Sequence, residues 1–154
     1  MFDTVVIATD GSGSAQRAVE AALDLAAHFD ATVHALYVVD AGEVESTPDD
    51  VRDVLERALA TTGGRALTFV REAADADDAD EVVTAVREGD PAEEVVGYAR
   101  AHDADVVATG TRGRHGDHGF LLGSVAEEIV RNAPMPVLSV RQLEGEANPD
   151  REAV

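Results

Sequence analysis

Apolar residues in this chain fall into short runs separated by longer stretches in which they recur every three or four positions. Runs at residues 4–9, 31–39, 104–109 and 137–141, rich in Val, Ile, Ala and Leu, predict buried strands, and the partly alternating stretch 81–87 predicts another. Between the first two, Ala18, Val19, Ala22, Leu25, Ala26 and Phe29 keep helical spacing, with Ser12 or Ser14 available as the cap. Thr47-Pro48-Asp49-Asp50 supplies a cap, a proline and first-turn acids for a second helix. Its apolar positions Val51, Leu55, Leu59, Ala66, Val70 and Ala74 hold one phase across Gly63-Gly64, so a single helix to about Ala76 is expected, with a break at the glycine pair as the competing reading. Residues 75–80 then form an acidic turn. Asp90-Pro91-Ala92-Glu93 repeats the start signal for a helix over 91–102, and a last helix is expected over 124–132. Pro134 and Pro136 before the fifth run suggest that it is an edge strand.

Strands that alternate with helices require right-handed crossovers and a parallel sheet. The expected architecture is a single-domain, doubly wound, Rossmann-like α/β fold of five parallel strands in the order 3-2-1-4-5, helices covering both faces. In that order strands one and four are neighbours where strand order reverses, and the loops after Thr9 and Thr109 face each other across the ligand crevice of such folds.

Composition narrows the function classes. A chain of 154 residues with 45% hydrophobic content is sufficient for one domain with a real core. The formal charge is −19, from 31 acidic against 12 basic residues, and all 12 are arginine. Such an acidic, lysine-free surface resembles proteins adapted to molar salt, where screening weakens carboxylate repulsion. It argues against nonspecific nucleic-acid binding and against anionic membranes, both of which call for clustered basic residues. With no cysteine there is neither a disulfide framework, a thiolate metal site nor a cysteine nucleophile. No run reaches the length of a membrane span and the start lacks a signal-peptide pattern, so a cytoplasmic location is expected.

Chemistry concentrates in one window. Five of the 13 glycines lie at 110, 113, 116, 119 and 123, between the fourth strand and the last helix. A strand, a glycine-rich loop and a helix N-terminus bring unpaired amides and the positive end of a helix dipole together, which suits phosphate oxygens. Between Gly110 and Ser124 the chain carries Arg112, Arg114, His115 and His118 against the single acid Asp117, an exception in so acidic a protein. Arg112, nearest the first glycine, is the better phosphate candidate. A Walker A motif is impossible without lysine, and a Rossmann glycine fingerprint fails because Gln16 stands where its third glycine belongs.

Gly110-x-x-Gly113, nine residues, then Gly123-Ser124, together with Ala8-Thr9-Asp10-Gly11-Ser12, resembles the nucleotide-binding branch of the universal stress protein family, whose pattern is G-x2-G-x9-G-[S/T]. The segments 105–109, 124–127 and 133–137 look like that family too, so the resemblance spans residues 1–141 and leaves 142–154 as an acidic, flexible tail. It implies the adenine nucleotide alpha hydrolase-like version of the doubly wound fold. It further implies an adenine and ribose pocket at Ala8, Thr9, Asp10 and Val38, and phosphates held by Gly110, Gly113, Gly123, Ser124 and Val125, with Thr109 beside them at the strand end. ATP or another adenine nucleotide, accompanied by Mg2+ or Mn2+, and a homodimer formed through the last strand, Val137 to Arg141, complete what the resemblance implies.

Each candidate also has a plainer reading. Ser124 with Glu127 fits a capping box, and Asp10 could simply brace its turn. His115, Asp117 and His118 are ligand-type side chains in a loop, a weak basis for a metal site. His28, His34 and His102 read as structural or solvated. No histidine or carboxylate is positioned by the sequence as a water activator, so a regulatory nucleotide-binding protein is expected; a slow ATPase and a ligand-free dimerisation module are the alternatives.

Overall fold

The computed structural model describes residues 2–76, 82–111 and 122–141. Five strands, β1 (Thr4–Ala8), β2 (Thr32–Asp40), β3 (Val82–Gly89), β4 (Val106–Gly110) and β5 (Val137–Val140), form one parallel sheet in the order β3-β2-β1-β4-β5, as expected. The helices are α1 (Gly13–Phe29), α2 (Ala41–Glu45), α3 (Asp49–Ala76), α4 (Pro91–Ala101) and α5 (Ser124–Asn132).

The unbroken apolar runs have a simple cause: both faces of the sheet are covered. Val5 and Ile7 of β1, with Val106 and Ala108 of β4, pack into a core with Val19 and Leu23 of α1 and Leu67 and Val70 of α3. The alternate residues Val6, Leu36 and Val107 pack on the opposite face with Val95, Tyr98 and Ala99 of α4 and Ile129 of α5. Period-two alternation thus feeds two cores of equal standing. The β1 entry is fixed by Asp105, whose Oδ2 accepts from the amides of Asp3 at 2.8 Å and Thr4 at 3.0 Å.

Helix starts follow the sequence closely, with exceptions. Ser12 caps α1, accepting from Ala15 N, and Asp90 caps α4, accepting from Glu93 N at 3.1 Å. Thr47 does not cap α3. Its hydroxyl donates to Glu43 O at 2.8 Å and closes α2, a short helix the apolar pattern does not predict, and α3 begins at Asp49. The buried stripe of α1 is centred on Ala18, Val19, Ala22 and Leu23, rather than on Leu25 and Phe29; Phe29 is 41% exposed and meets Phe2 edge to face. The third strand runs on to Gly89, two residues past its expected end, and its expected first residue, Glu81, lies outside the described residues.

α3 continues unbroken through Gly63-Gly64. The pair divides its roles. Tyr37 of β2, 1% exposed, lays its ring against Gly63, where a Cβ would stand 2.6 Å from Cδ1; around Gly64 nothing lies within 4 Å. Gly63 is therefore the notch that lets helix and sheet close over the ring, whereas Gly64 only weakens an exposed helical turn. Gly63→Ala should destabilise by about 1–3 kcal/mol through overpacking, and Gly64→Ala should stabilise by about 0.5–1 kcal/mol. Denaturant unfolding of the two variants checks both signs.

Candidate functional site

The carboxyl ends of β1 and β4 lie side by side, Ala8 opposite Thr109, at the point where strand order reverses. A cleft of about 370 Å³ opens there, within the range of small-molecule sites. Nine of the eleven sequence candidates meet in its lining: Ala8 at the end of β1 with Thr9 and Asp10 after it, Val38 of β2, Thr109 and Gly110 of β4, and Gly123, Ser124 and Val125 at the start of α5. Arg112 and Gly113 lie outside the described residues, as do Arg114, His115, Asp117 and His118.

Local hydrogen bonds set the shape of the β1 end. Thr9 N donates to Leu36 O at 3.0 Å, holding the strand end against β2. The Thr9 hydroxyl accepts from Gly11 N at 3.2 Å, Asp10 Oδ1 accepts from Ser12 N at 2.9 Å, and the Ser12 hydroxyl accepts from Ala15 N at 3.2 Å. Asp10 thus braces its turn while lining the cleft.

At the β4 end, the first glycine of the loop pattern has a packing role. A Cβ on Gly110 would stand 2.5 Å from Ser14 Oγ, 2.8 Å from Ser14 C and 3.0 Å from Ala15 N, because the first turn of α1 rests on this position. Ser14, 1% exposed, donates its hydroxyl to Val140 O at 3.3 Å and joins that turn to β5. Thr111 N donates to Val140 O at 3.1 Å, and Gly123 N donates to Thr111 O at 2.6 Å. Those contacts fix both ends of the segment that carries the remaining glycines.

The capping-box reading of Ser124 is not what the structure shows. Gly123 is the N-cap of α5 and Ser124 its first residue, with no side-chain cap. Glu127 instead pairs with Arg131 one turn on. The exposed Ser124 hydroxyl has no hydrogen-bond partner among the described residues and sits at the positive end of the helix dipole, beside the open amides of the first turn.

The opposite wall was not anticipated. Asp40 ends β2 and caps α2, accepting at Oδ1 from Gly42 N at 3.0 Å and Glu43 N at 3.4 Å, and both Asp40 and Glu43 line the cleft. Leu36, Pro91 and Val95 give it an apolar floor. The signal for α2 was present as an Asp cap with Glu three residues later; nothing in the sequence places it beside the glycine segment, which only the sheet order does. With Asp10 the lining holds three acids, and among its described residues there is no cation. The cleft is polarised, with carboxylates on the β1–β2 side and helix amides on the α5 side.

Fold and cleft together define a doubly wound α/β protein with a ligand-sized crevice at its switch point. Residues 1–141 match the universal stress protein family, and the chain belongs to that family. It is 36% identical over 143 residues to a universal stress protein of Methanocaldococcus jannaschii, a match covering 92% of this chain and 84% of the relative. Among solved structures, a universal stress protein in complex with cAMP aligns with a TM-score of 0.72 at 28% identity, covering 92% of this chain and 99% of that one. The universal stress protein from Archaeoglobus fulgidus in complex with dAMP aligns with a TM-score of 0.60 at 25% identity, covering 92% and 98%.

Because backbone atoms as well as Ser14 Oγ crowd position 110, Gly110→Ala should cost about 3 kcal/mol, the upper end for overpacking. Combining it with Ser14→Ala should restore little, since the contacts to Ser14 C and Ala15 N remain. Thermal unfolding of the single and double variants checks this.

Proposed function

We propose that this chain binds ATP or a related adenine nucleotide in the switch-point cleft and serves as a dimeric, cytoplasmic stress-response switch. The observation that carries the reading is the convergence on one cleft of the β1 end, Val38, the β4 end and the α5 N-terminus, from four separate parts of the chain. The family neighbours that bind cAMP and dAMP support it.

Cleft polarity suggests an orientation. Phosphates go to the α5 side, where Gly123, Ser124 and Val125 present amides and a hydroxyl, and where Arg112 and Gly113 would join from the loop after β4. The adenosine goes to the β1–β2 side, its base against the floor beside Val38 and its hydrogen-bond donors toward Asp10 and Asp40. The donor chemistry fits a divalent ion that arrives on the phosphates. Among the described residues no group of three or more ligand side chains could hold a metal alone, whereas three carboxylates in the lining offset a cation's charge. Mg2+ or Mn2+ would be held chiefly by phosphate oxygens, with the charge of the triphosphate partly neutralised. Binding is favoured over catalysis because Asp10 and Asp40 already accept amide hydrogen bonds of their own turns.

Dimerisation through Val137 to Arg141 belongs to the same reading. β5 is an edge of the sheet, its residues are only half-buried, and Val130 on neighbouring α5 is 49% exposed.

Calorimetric titration with ATP and Mg2+ tests the reading, with the sample's co-purifying nucleotide first removed and identified by mass spectrometry. Absence of binding in both would overturn it, and sustained ADP release would favour the ATPase reading. Since the Ser124 hydroxyl has no partner among the described residues, Ser124→Ala should leave stability within about 0.5 kcal/mol. It should weaken ATP binding about tenfold, the equivalent of one hydrogen bond to a charged group at about 1.5 kcal/mol.

A further inference from the structure

Beneath the cleft lies a cluster that the nucleotide reading does not use. His34 of β2 points to the same face of the sheet as Leu36 and Val38, which line the cleft two and four residues further along the strand. Above it, Tyr98 of α4 follows cleft-lining Val95 by three positions, nearly one helical turn, and His102 caps the helix end. Tyr98, 6% exposed, joins the three rings: its hydroxyl lies 2.8 Å from His34 Nδ1, and its ring stacks on His102 with centroids 4.0 Å apart. The centroids of His34 and His102 are only 4.9 Å apart.

The charged and titratable surroundings of His34 are few. β1 presents Val6 in register with it and β3 presents Val83. Arg87 of β3 stands 5.3 Å from the Tyr98 ring centroid, and α4 contributes Tyr98 and His102. Among the described residues no carboxylate pairs with either imidazole, although acids outnumber bases 31 to 12 in the chain. His102 Nδ1 lies 2.9 Å from Tyr98 O, a contact in which the ring nitrogen donates.

In the neutral tautomer that carries its proton on Nε2, His34 accepts from the Tyr98 hydroxyl at Nδ1. Protonation turns Nδ1 into a donor, reverses that bond, and sets two like charges against each other when His102 is also protonated, with Arg87 as a third cation nearby. Burial lowers the His34 pKa below the usual histidine range, and neighbouring His102 lowers it further. The sign follows. The unfolded chain takes up the proton first, so the packed arrangement has its full stability above the ordinary histidine value of about 6.5 and loses it as pH falls below that.

We infer that the His34–Tyr98–His102 cluster is a proton-sensitive latch on α4, which couples acidification to loss of nucleotide from the cleft. The coupling element is α4 itself: its carboxyl end holds the cluster while its amino end supplies Pro91 and Val95 to the cleft floor. Loosening one end displaces the other, and tighter nucleotide binding at neutral pH in turn favours the neutral cluster. The inference rests on the nucleotide reading for its output and on the ring cluster for its input.

The test measures ATP affinity at pH 7.5 and 5.5 for the wild type, His34→Asn and His102→Gln. Asparagine keeps a hydrogen-bonding group near the position of Nδ1 without titrating in this range. The nucleotide's own phosphate titration is common to all three proteins, so the difference between them is the readout. The wild type should lose at least about fivefold more affinity on acidification than His34→Asn, a typical allosteric coupling, with His102→Gln intermediate. Equal pH dependence within twofold in all three would overturn the latch while leaving nucleotide binding intact. If none of the proteins binds at pH 7.5, the functional reading fails instead. Hydrogen exchange of the α4 amides, corrected for intrinsic rates, then decides the latch alone: protection that falls with pH in the wild type but not in His34→Asn supports it, and equal protection overturns it.

Discussion

The first turn of α1 lies so close to the end of β4 that position 110 has no room for a side chain. Much of the cleft depends on that approach. It draws the β1 end against β4 with Ala8 opposite Thr109, and it lets the buried Ser14 reach Val140. A doubly wound sheet places its crevice at the switch point by topology, and here the width of that crevice is set by a backbone-to-backbone contact that only glycine permits. Gly110 is therefore part of the architecture before any ligand arrives.

Below the opening, α4 ties the layers together. Its apolar face closes the second core over Val6, Leu36 and Val107, its amino end enters the cleft, and its carboxyl end meets His34 through Tyr98. α3 does the corresponding work on the other face, where the Tyr37 ring fits the notch at Gly63. The sheet is held between one helix matched to its cleft and another matched to its largest buried ring.

The layered fold was legible because the central strands are buried on both faces and the helices on one, which writes two different periods into the chain. The caps at Ser12 and Asp90 were legible for the same local reason. What escaped was decided by partners distant in sequence. Leu23 rather than Phe29 is buried because of how α1 crosses the sheet, and Thr47 serves α2 because that helix turns back at the end of β2. The family resemblance proved sound, and Gly110 and Gly123 line the cleft, but spacing alone could not distinguish a glycine that faces the cleft from one that admits a neighbouring helix. The acidic wall at Asp40 and Glu43 was equally hidden, since about 70 residues separate it from the glycine segment and only strand order makes them neighbours. Arg112 and Gly113 lie outside the described residues, and their assignment still rests on the sequence.

The bond from Gly123 N to Thr111 O, at 2.6 Å, joins the two ends of the segment between β4 and α5. With Thr111 and Gly123 joined, the entropy of closing the loop between them is one route by which its length reaches the stability of the fold. This entropy changes slowly with length, by about 0.6 kcal/mol for each doubling. Through that route, adding or removing residues between the two joined positions costs the sheet little. Loop length between β4 and α5 is therefore a variable that the sheet leaves largely free, separate from the packing that fixes the cleft at Gly110.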